Sequence, residues 1–209
     1  MADHKVLHDT VNAAFDEAYE IINSNDNWKE VKRNQHGDVV VTRKNKHGKS
    51  IYRVKAVIEA APEKLINALS DIPKTTSWNH TLTKCEVVAE LGEEVQVTYQ
   101  ITSGGGGNMV SPRDFILLVK KGYKGDDYFQ AGCSIDYPSI PKDKNIVRAW
   151  NGPGGQMIRP IPGEPDKCEL YWLLDCEYNG WILSSILAVA MPFAQIQFVE
   201  CVRELAKTI

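Results

Sequence analysis

Two histidines four residues apart, His4 and His8, could present a metal ion on one helical face, but no third ligand accompanies them. His36, His47 and His80 sit in turn-like surroundings, and no HExxH pattern occurs. The glycine run Gly104 to Gly107 could cradle a phosphate. That chemistry needs a following Gly-Lys-Ser/Thr to bring a lysine to the phosphates, and the chain continues Asn108-Met109-Val110 instead. A dinucleotide-binding glycine set needs a helix next, and here a strand pattern follows. The run reads as a loop free to adopt positive φ, with Gly105 inside it and Met109 and Val110 as an exposed apolar tip. Such a tip suits a gate or a membrane contact. Ser111, Ser134 and the cysteines lack a nucleophile-elbow context. The carboxylates Asp114, Asp136 and Asp175 are scattered singly, so a cyclase or hydrolase would have to draw on Asp136, Asp114 or Ser134. No catalytic, metal or cofactor constellation emerges, and the chain is expected to be non-enzymatic.

The chain has 209 residues, 43% hydrophobic and 24% charged, which fits one folded domain over residues 1–209. A net charge of -3 argues against a dedicated nucleic-acid binder. The first twenty residues lack the apolar run of a signal peptide and the basic look of a transit peptide. Trp181 to Val199 carries no charge, but Ser184, Ser185, Pro192, Gln195 and Gln197 interrupt it. It reads as a helix covering an apolar interior rather than a bilayer span. Cys85, Cys133, Cys168, Cys176 and Cys201 form no CxxC pair, which suggests reduced thiols and a cytoplasmic setting.

The elements that must position any site follow from periodicity. Apolar residues recur at helical spacing over residues 5–23. Alternating, β-branched runs at 28–33, 38–44 and 50–59 predict strands, the last two forming a hairpin around Lys46-His-Gly-Lys. Ala61-Pro62 opens a short helix, and another helical turn spans about 71–78. Further strands are expected at 82–91, 94–102, 114–121, 127–136, 145–150 and 169–177. Residues 182–206 predict a closing helix about 37 Å long at 1.5 Å per residue. Pro192 should loosen it. This order predicts an α+β domain, an antiparallel sheet with helices on one face. The closing helix has no charged side over most of its length, so it must be buried all round, roof a cavity or meet a membrane.

Six short motifs carry a family likeness: Trp78-Asn79, Ser111-Pro-Arg-Asp-Phe115, Ile146-Val-Arg-Ala149, Asn151-Gly-Pro153, Tyr171-Trp-Leu-Leu174 and Asn179-Gly-Trp181. In order and spacing they resemble the START lipid-transfer domains, and among these the subgroup of the steroidogenic acute regulatory protein. The likeness covers about residues 10–207. It implies a helix-grip fold, a curved antiparallel sheet around a long C-terminal helix, with a lipid tunnel between them. Sterol-binding members resemble one another in a buried acid–arginine pair on neighbouring strands. The matching positions here are Gln100 and Val119, so both charges are missing. Changing both partners avoids stranding one buried charge.

Other tunnel positions implied by the resemblance are Asn79, Gln130, Ser134, Gln156 and Trp172. The closing helix is expected to add Ile186, Ala190, Phe193 and Gln197. Arg113 and Asp136 are expected to be buried, touching the ligand or holding the sheet together. Gly105, Met109, Val110 and Pro192 would form a gate. A tunnel with neutral amides and hydroxyls suits an isoprenoid lipid with hydroxyl ends. A carotenoid such as lutein or zeaxanthin is preferred over a sterol, because the missing ion pair at Gln100 and Val119 speaks against cholesterol and the overall sequence looks most like the insect carotenoid-binding branch. The partners implied are one small apolar lipid and a transient membrane surface, with no nucleic acid.

Overall fold

The computed structural model describes residues 4–104 and 110–209. Helix α1 (His4–Asn23) leads into strands β1 (Lys29–Arg33), β2 (Val39–Lys44) and β3 (Ser50–Ile58). Helix α2 (Pro62–Ser70), a 3-10 turn (Ile72–Lys74) and α3 (Thr75–Trp78) follow. Then come β4 (Leu82–Glu90), β5 (Val95–Thr102), β6 (Arg113–Lys124), β7 (Asp127–Ser134), β8 (Val147–Arg148) and β9 (Trp150–Asn151). The chain ends with β10 (Gly154–Ile161), β11 (Glu164–Leu174), β12 (Cys176–Glu177) and α4 (Ser184–Ala206).

The main sheet runs β1-β2-β3-β11-β10-β7-β6-β5-β4, with neighbours antiparallel and β8 added parallel to β6. The α+β expectation holds, but the helices do not share one face. α1 buries Leu7, Val11, Phe15 and Ile22 on one side, against residues such as Val97, Leu118, Phe129 and Leu173. α4 lies on the other side, where Ala190, Phe198, Val199 and Val202 join Val54, Ala56, Ile58 and Leu170. Strand periodicity explains both contacts, since successive residues of β3 and β11 point to opposite faces.

One central strand escapes the sequence reading. β10 lies between β7 and β11, yet its sequence GGQMIRPI reads as loop. Its glycines belong to close strand packing. A Cβ on Gly155 would sit 2.3 Å from the Gln130 carbonyl oxygen, and one on Gly132 of β7 would sit 1.8 Å from that of Leu118. The expected strand at 145–150 is only the two-residue β8 and the start of β9. β7 stops at Ser134, which leaves Asp136 outside the sheet.

α4 is long and apolar enough to cross a membrane by length and composition alone. Here its core-facing residues pack on the sheet. Gln195, fully buried, donates from Nε2 to the Trp172 carbonyl (3.0 Å). Near its C-terminal end Arg203 makes a bidentate ion pair with buried Asp38 at 2.6 and 2.8 Å.

Candidate functional site

β5 explains how the site is built. Its odd-numbered residues Val95, Val97, Tyr99 and Ile101 pack toward α1. Its even-numbered residues Gln96, Thr98, Gln100 and Thr102 therefore face the other way, onto a cavity of about 220 Å3. β6 adds Phe115, Leu117 and Val119, β7 adds Gln130, β10 adds Gln156 and β11 adds Trp172 and Leu174. α4 closes the space with Met191, Ala194 and Phe198, spaced at three and four residues along one helical face. Phe198 packs on Trp172 (ring centroids 4.6 Å) and Trp78 (6.1 Å). From Gln96 to Thr102 the lining runs six residues, about 20 Å at 3.3 Å per residue.

The polar groups on this wall are mostly neutral. Gln100 lies opposite Phe115 in the β5–β6 register, and Val119 lies opposite Gln96. Both face the cavity, and neither carries charge. Gln130 donates from Nε2 to Gln156 Oε1 at 2.7 Å. Asn79 is buried, and its Oδ1 accepts from the Thr81 hydroxyl (2.7 Å) and backbone N–H (3.1 Å). Trp78 Nε1 and Asn151 Oδ1 are buried without a partner among the described residues. The exception to neutrality is Asp175, a buried carboxylate that accepts two bonds from the Asn45 amide at 3.1 and 3.2 Å. Burial pushes its carboxyl above the ordinary aspartate range, and the Asn45 bonds pull it back only in part. Burial also pushes the cavity-lining Cys85 thiol up, away from the nucleophilic thiolate.

Six of the expected tunnel positions come together here: Asn79, Gln100, Val119, Gln130, Gln156 and Trp172. Others do not. Ser134, the last residue of β7, is not part of the cavity lining, and its hydroxyl accepts from the Asn151 N–H at 2.8 Å. Asp136 is exposed, not buried. Arg113 is buried, but it donates to the carbonyl oxygens of Ser111 (2.7 Å) and Tyr178 (3.2 Å). It ties the segment before α4 to β6 and does not line the cavity. The buried acid of this region is Asp114, on the α1 side of β6. It receives Arg148 at 2.8 Å and the Tyr99 hydroxyl at 3.1 Å. Asp114, Asp136 and Ser134, the groups an enzyme would have drawn on, all lie off the cavity wall.

On α4 the expected face is displaced. Phe193 and Gln197 are exposed, Ala190 is buried against the sheet, and Ile186 packs at the rim of the same cluster. Met191, Ala194 and Phe198 take their places, each one residue beyond an expected position. A one-residue step turns a helix by about 100°. Val110 is 4% exposed and belongs to the core, so it is not an exposed tip. Gly105 and Met109 lie outside the described residues. Pro192 is buried inside a continuous α4. The metal reading of His4 and His8 finds no support: His8 Nε2 hydrogen-bonds the Leu91 carbonyl, and no cluster of three or more ligands occurs among the described residues. Asp175, Asn151 and, on β5, Gln96, Thr98 and Thr102 beside the expected Gln100 were missed. Strict alternation over 95–102 was the signal available for β5, since it demanded a polar face whose exposure only the fold could settle.

The START domain model matches residues 9–208. This chain belongs to the START family. Human mitochondrial steroidogenic acute regulatory protein is 26% identical over 192 residues, covering 91% of this chain and 67% of that protein. The zebrafish (Danio rerio) protein of the same name is 27% identical over the same share of this chain and 67% of its own. Human StAR-related lipid transfer protein 5 superposes with a TM-score of 0.92 at 18% identity, over 99% of both chains. Human STARD10 superposes at 0.75 and 19% identity, over 90% of this chain and 78% of its own. These structures confirm the fold, a curved antiparallel sheet gripping a C-terminal helix. The family membership makes this START domain a lipid-binding module.

Proposed function

We propose that this START domain is a non-enzymatic carrier that encloses one neutral, hydroxyl-bearing isoprenoid lipid and exchanges it between membranes through the cytoplasm. The observation that carries the reading is the cavity wall itself: neutral amides and hydroxyls set among Phe115, Leu117, Val119, Trp172 and Phe198. Burial of the lipid's apolar surface supplies the affinity, at about 25 cal/mol per Å2 before ordering costs. The polar groups orient one end without the desolvation cost of a buried ion pair.

The span of the wall supports one choice of ligand over the other. About 20 Å from Gln96 to Thr102 matches a sterol lying along β5. A carotenoid, a longer polyene with a ring at each end, would extend past it toward Gly104 and Val110. We therefore place a sterol first. The carotenoid is the second reading. It is supported by polar groups on both sides of the apolar middle, Gln130 and Gln156 on one and Asn79 and Asn151 on the other. Membrane contact is read from apolar side chains around the start of α4. Trp181, Leu183 and Val189 are 90%, 52% and 61% exposed, and Trp181 is three residues beyond cavity-lining Tyr178.

The test is a competition. Purified protein is incubated with equal cholesterol and lutein, passed over a sizing column, and its visible spectrum and extracted lipids are recorded. Cholesterol recovered unchanged near one per chain supports the first reading. A shifted carotenoid band on the protein replaces it with the second. Bare protein rejects the carrier, and a chemically altered lipid returns the enzyme.

A further inference from the structure

We propose that Gln130 and Gln156 form a clasp for a single hydroxyl group, which holds the lipid with its hydroxylated end on the side of the cavity away from Gly104 and Val110. This rests on the carrier reading and adds to it the chemical group that the protein selects.

The two glutamines face each other across β7 and β10, in register, and both line the cavity. Each amide has one carbonyl acceptor and two N–H donors. The 2.7 Å bond uses a donor of Gln130 and the acceptor of Gln156. Gln130 Oε1 and the Gln156 NH2 group are left without a partner among the described residues. The pair therefore presents an acceptor beside a donor. Exchanging oxygen and nitrogen on both amides gives the same result with the roles reversed, so the argument does not depend on that assignment.

A hydroxyl is the small group that satisfies both at once. Its O–H donates to Gln130 Oε1, and its lone pair accepts from Gln156 Nε2. A ketone or an ester can only accept. A hydrocarbon does neither, and leaves both amide groups unpaired when it displaces water.

The surroundings suit an end group. Trp172 lies opposite Gln156 in the β10–β11 register and packs against Phe198. Gly132, two residues on along β7, and Gly154, two residues before on β10, are paired with each other and line the cavity beside the two glutamines. Gln130 is registered with Lys121 of β6, eight residues from Arg113 and so about 26 Å along the strand from the end that carries Val110. The hydroxyl end of the lipid would enter first and leave last.

The test loads the full-length protein from vesicles carrying a hydroxylated lipid and its counterpart lacking the hydroxyl in equal amounts. One arm uses cholesterol and cholest-5-ene, the other zeaxanthin and β-carotene. A third vesicle set pairs cholesterol with cholest-4-en-3-one. Wild-type protein is expected to enrich the hydroxylated member about tenfold in whichever arm binds, as two modest hydrogen bonds allow. The ketone should be disfavoured against cholesterol. In the Gln130→Leu/Gln156→Leu variant both amides leave together, and the bound ratio should fall to that of the vesicles. Gln130→Met/Gln156→Met, with straight side chains of matching length, repeats the test if the leucine variant does not fold. Wild-type protein that takes up lipid in the vesicle ratio overturns the clasp, and so does a folded double variant that keeps the preference. Wild-type protein that takes up no lipid from any vesicle overturns the carrier reading instead.

Discussion

Asp175 shows how one residue can set a pH dependence. Its carboxyl is held above the ordinary value of 3.8 because burial opposes the charged form more than the Asn45 amide supports it. Below 3.8 both folded and unfolded chains carry the proton, and no penalty exists. As pH rises past that value the unfolded chain ionises first, and stability falls until the folded carboxyl ionises too. Asp175→Asn removes the charge and keeps an acceptor for Asn45. The variant is expected to melt higher than wild type near neutral pH, with the difference closing as pH falls toward 3.8. Melting curves across pH check this. A variant less stable at neutral pH would show that the Asn45 bonds outweigh burial.

At the scale of elements, α4 is held unevenly. Its second half is anchored by the Gln195 bond to Trp172 and the Arg203–Asp38 pair. Its first half follows exposed Leu183, carries exposed Val189 and ends at Pro192, which has no N–H to give to the preceding turn. Exchange of lipid requires α4 to part from the sheet, and the half before Pro192 is the one with least to lose. Pro192→Ala restores the missing donor. It is expected to slow lipid transfer from donor vesicles several-fold while the melting temperature stays level or rises. Transfer at the wild-type rate in a folded Pro192→Ala protein would place the opening elsewhere. Val110, 4% exposed in the core, adds a second contact that any opening at that end must break.

The whole molecule combines a closed apolar interior with an apolar exterior near one end. Trp181 is 90% exposed, and its indole suits the water–lipid boundary because it is apolar in body and polar at one edge. Trp181→Ser should lower co-sedimentation with lipid vesicles while leaving the melting temperature unchanged, since the side chain packs on almost nothing. Unchanged vesicle binding would move the contact to another face. The Arg113 bonds bear on the same end. They join Ser111 and Tyr178, two segments far apart in the chain, so the approach to Trp181 and α4 is built on a fixed corner of the sheet.

Much of this was legible in the residues alone. Helical spacing placed α1 and α4, alternation placed β2 and β3, and strands were expected where β5 and β6 lie. The six motifs carried the family, and six of the tunnel residues followed residue by residue. Periodicity gives the faces of an element but not what each face meets. The polar face of β5 looks like a solvent face and became the cavity wall because α1 took the apolar one. α4 has no charged side to set its rotation, so only packing against Trp78 and Trp172 decided that Phe198, not Phe193, turns inward. β10 was hidden because its glycines signal a turn locally and close strand approach only when β7 is beside them. Asp175 and the Gln130–Gln156 pair depend on contacts across strands distant in sequence, and the tertiary fold alone brings those together.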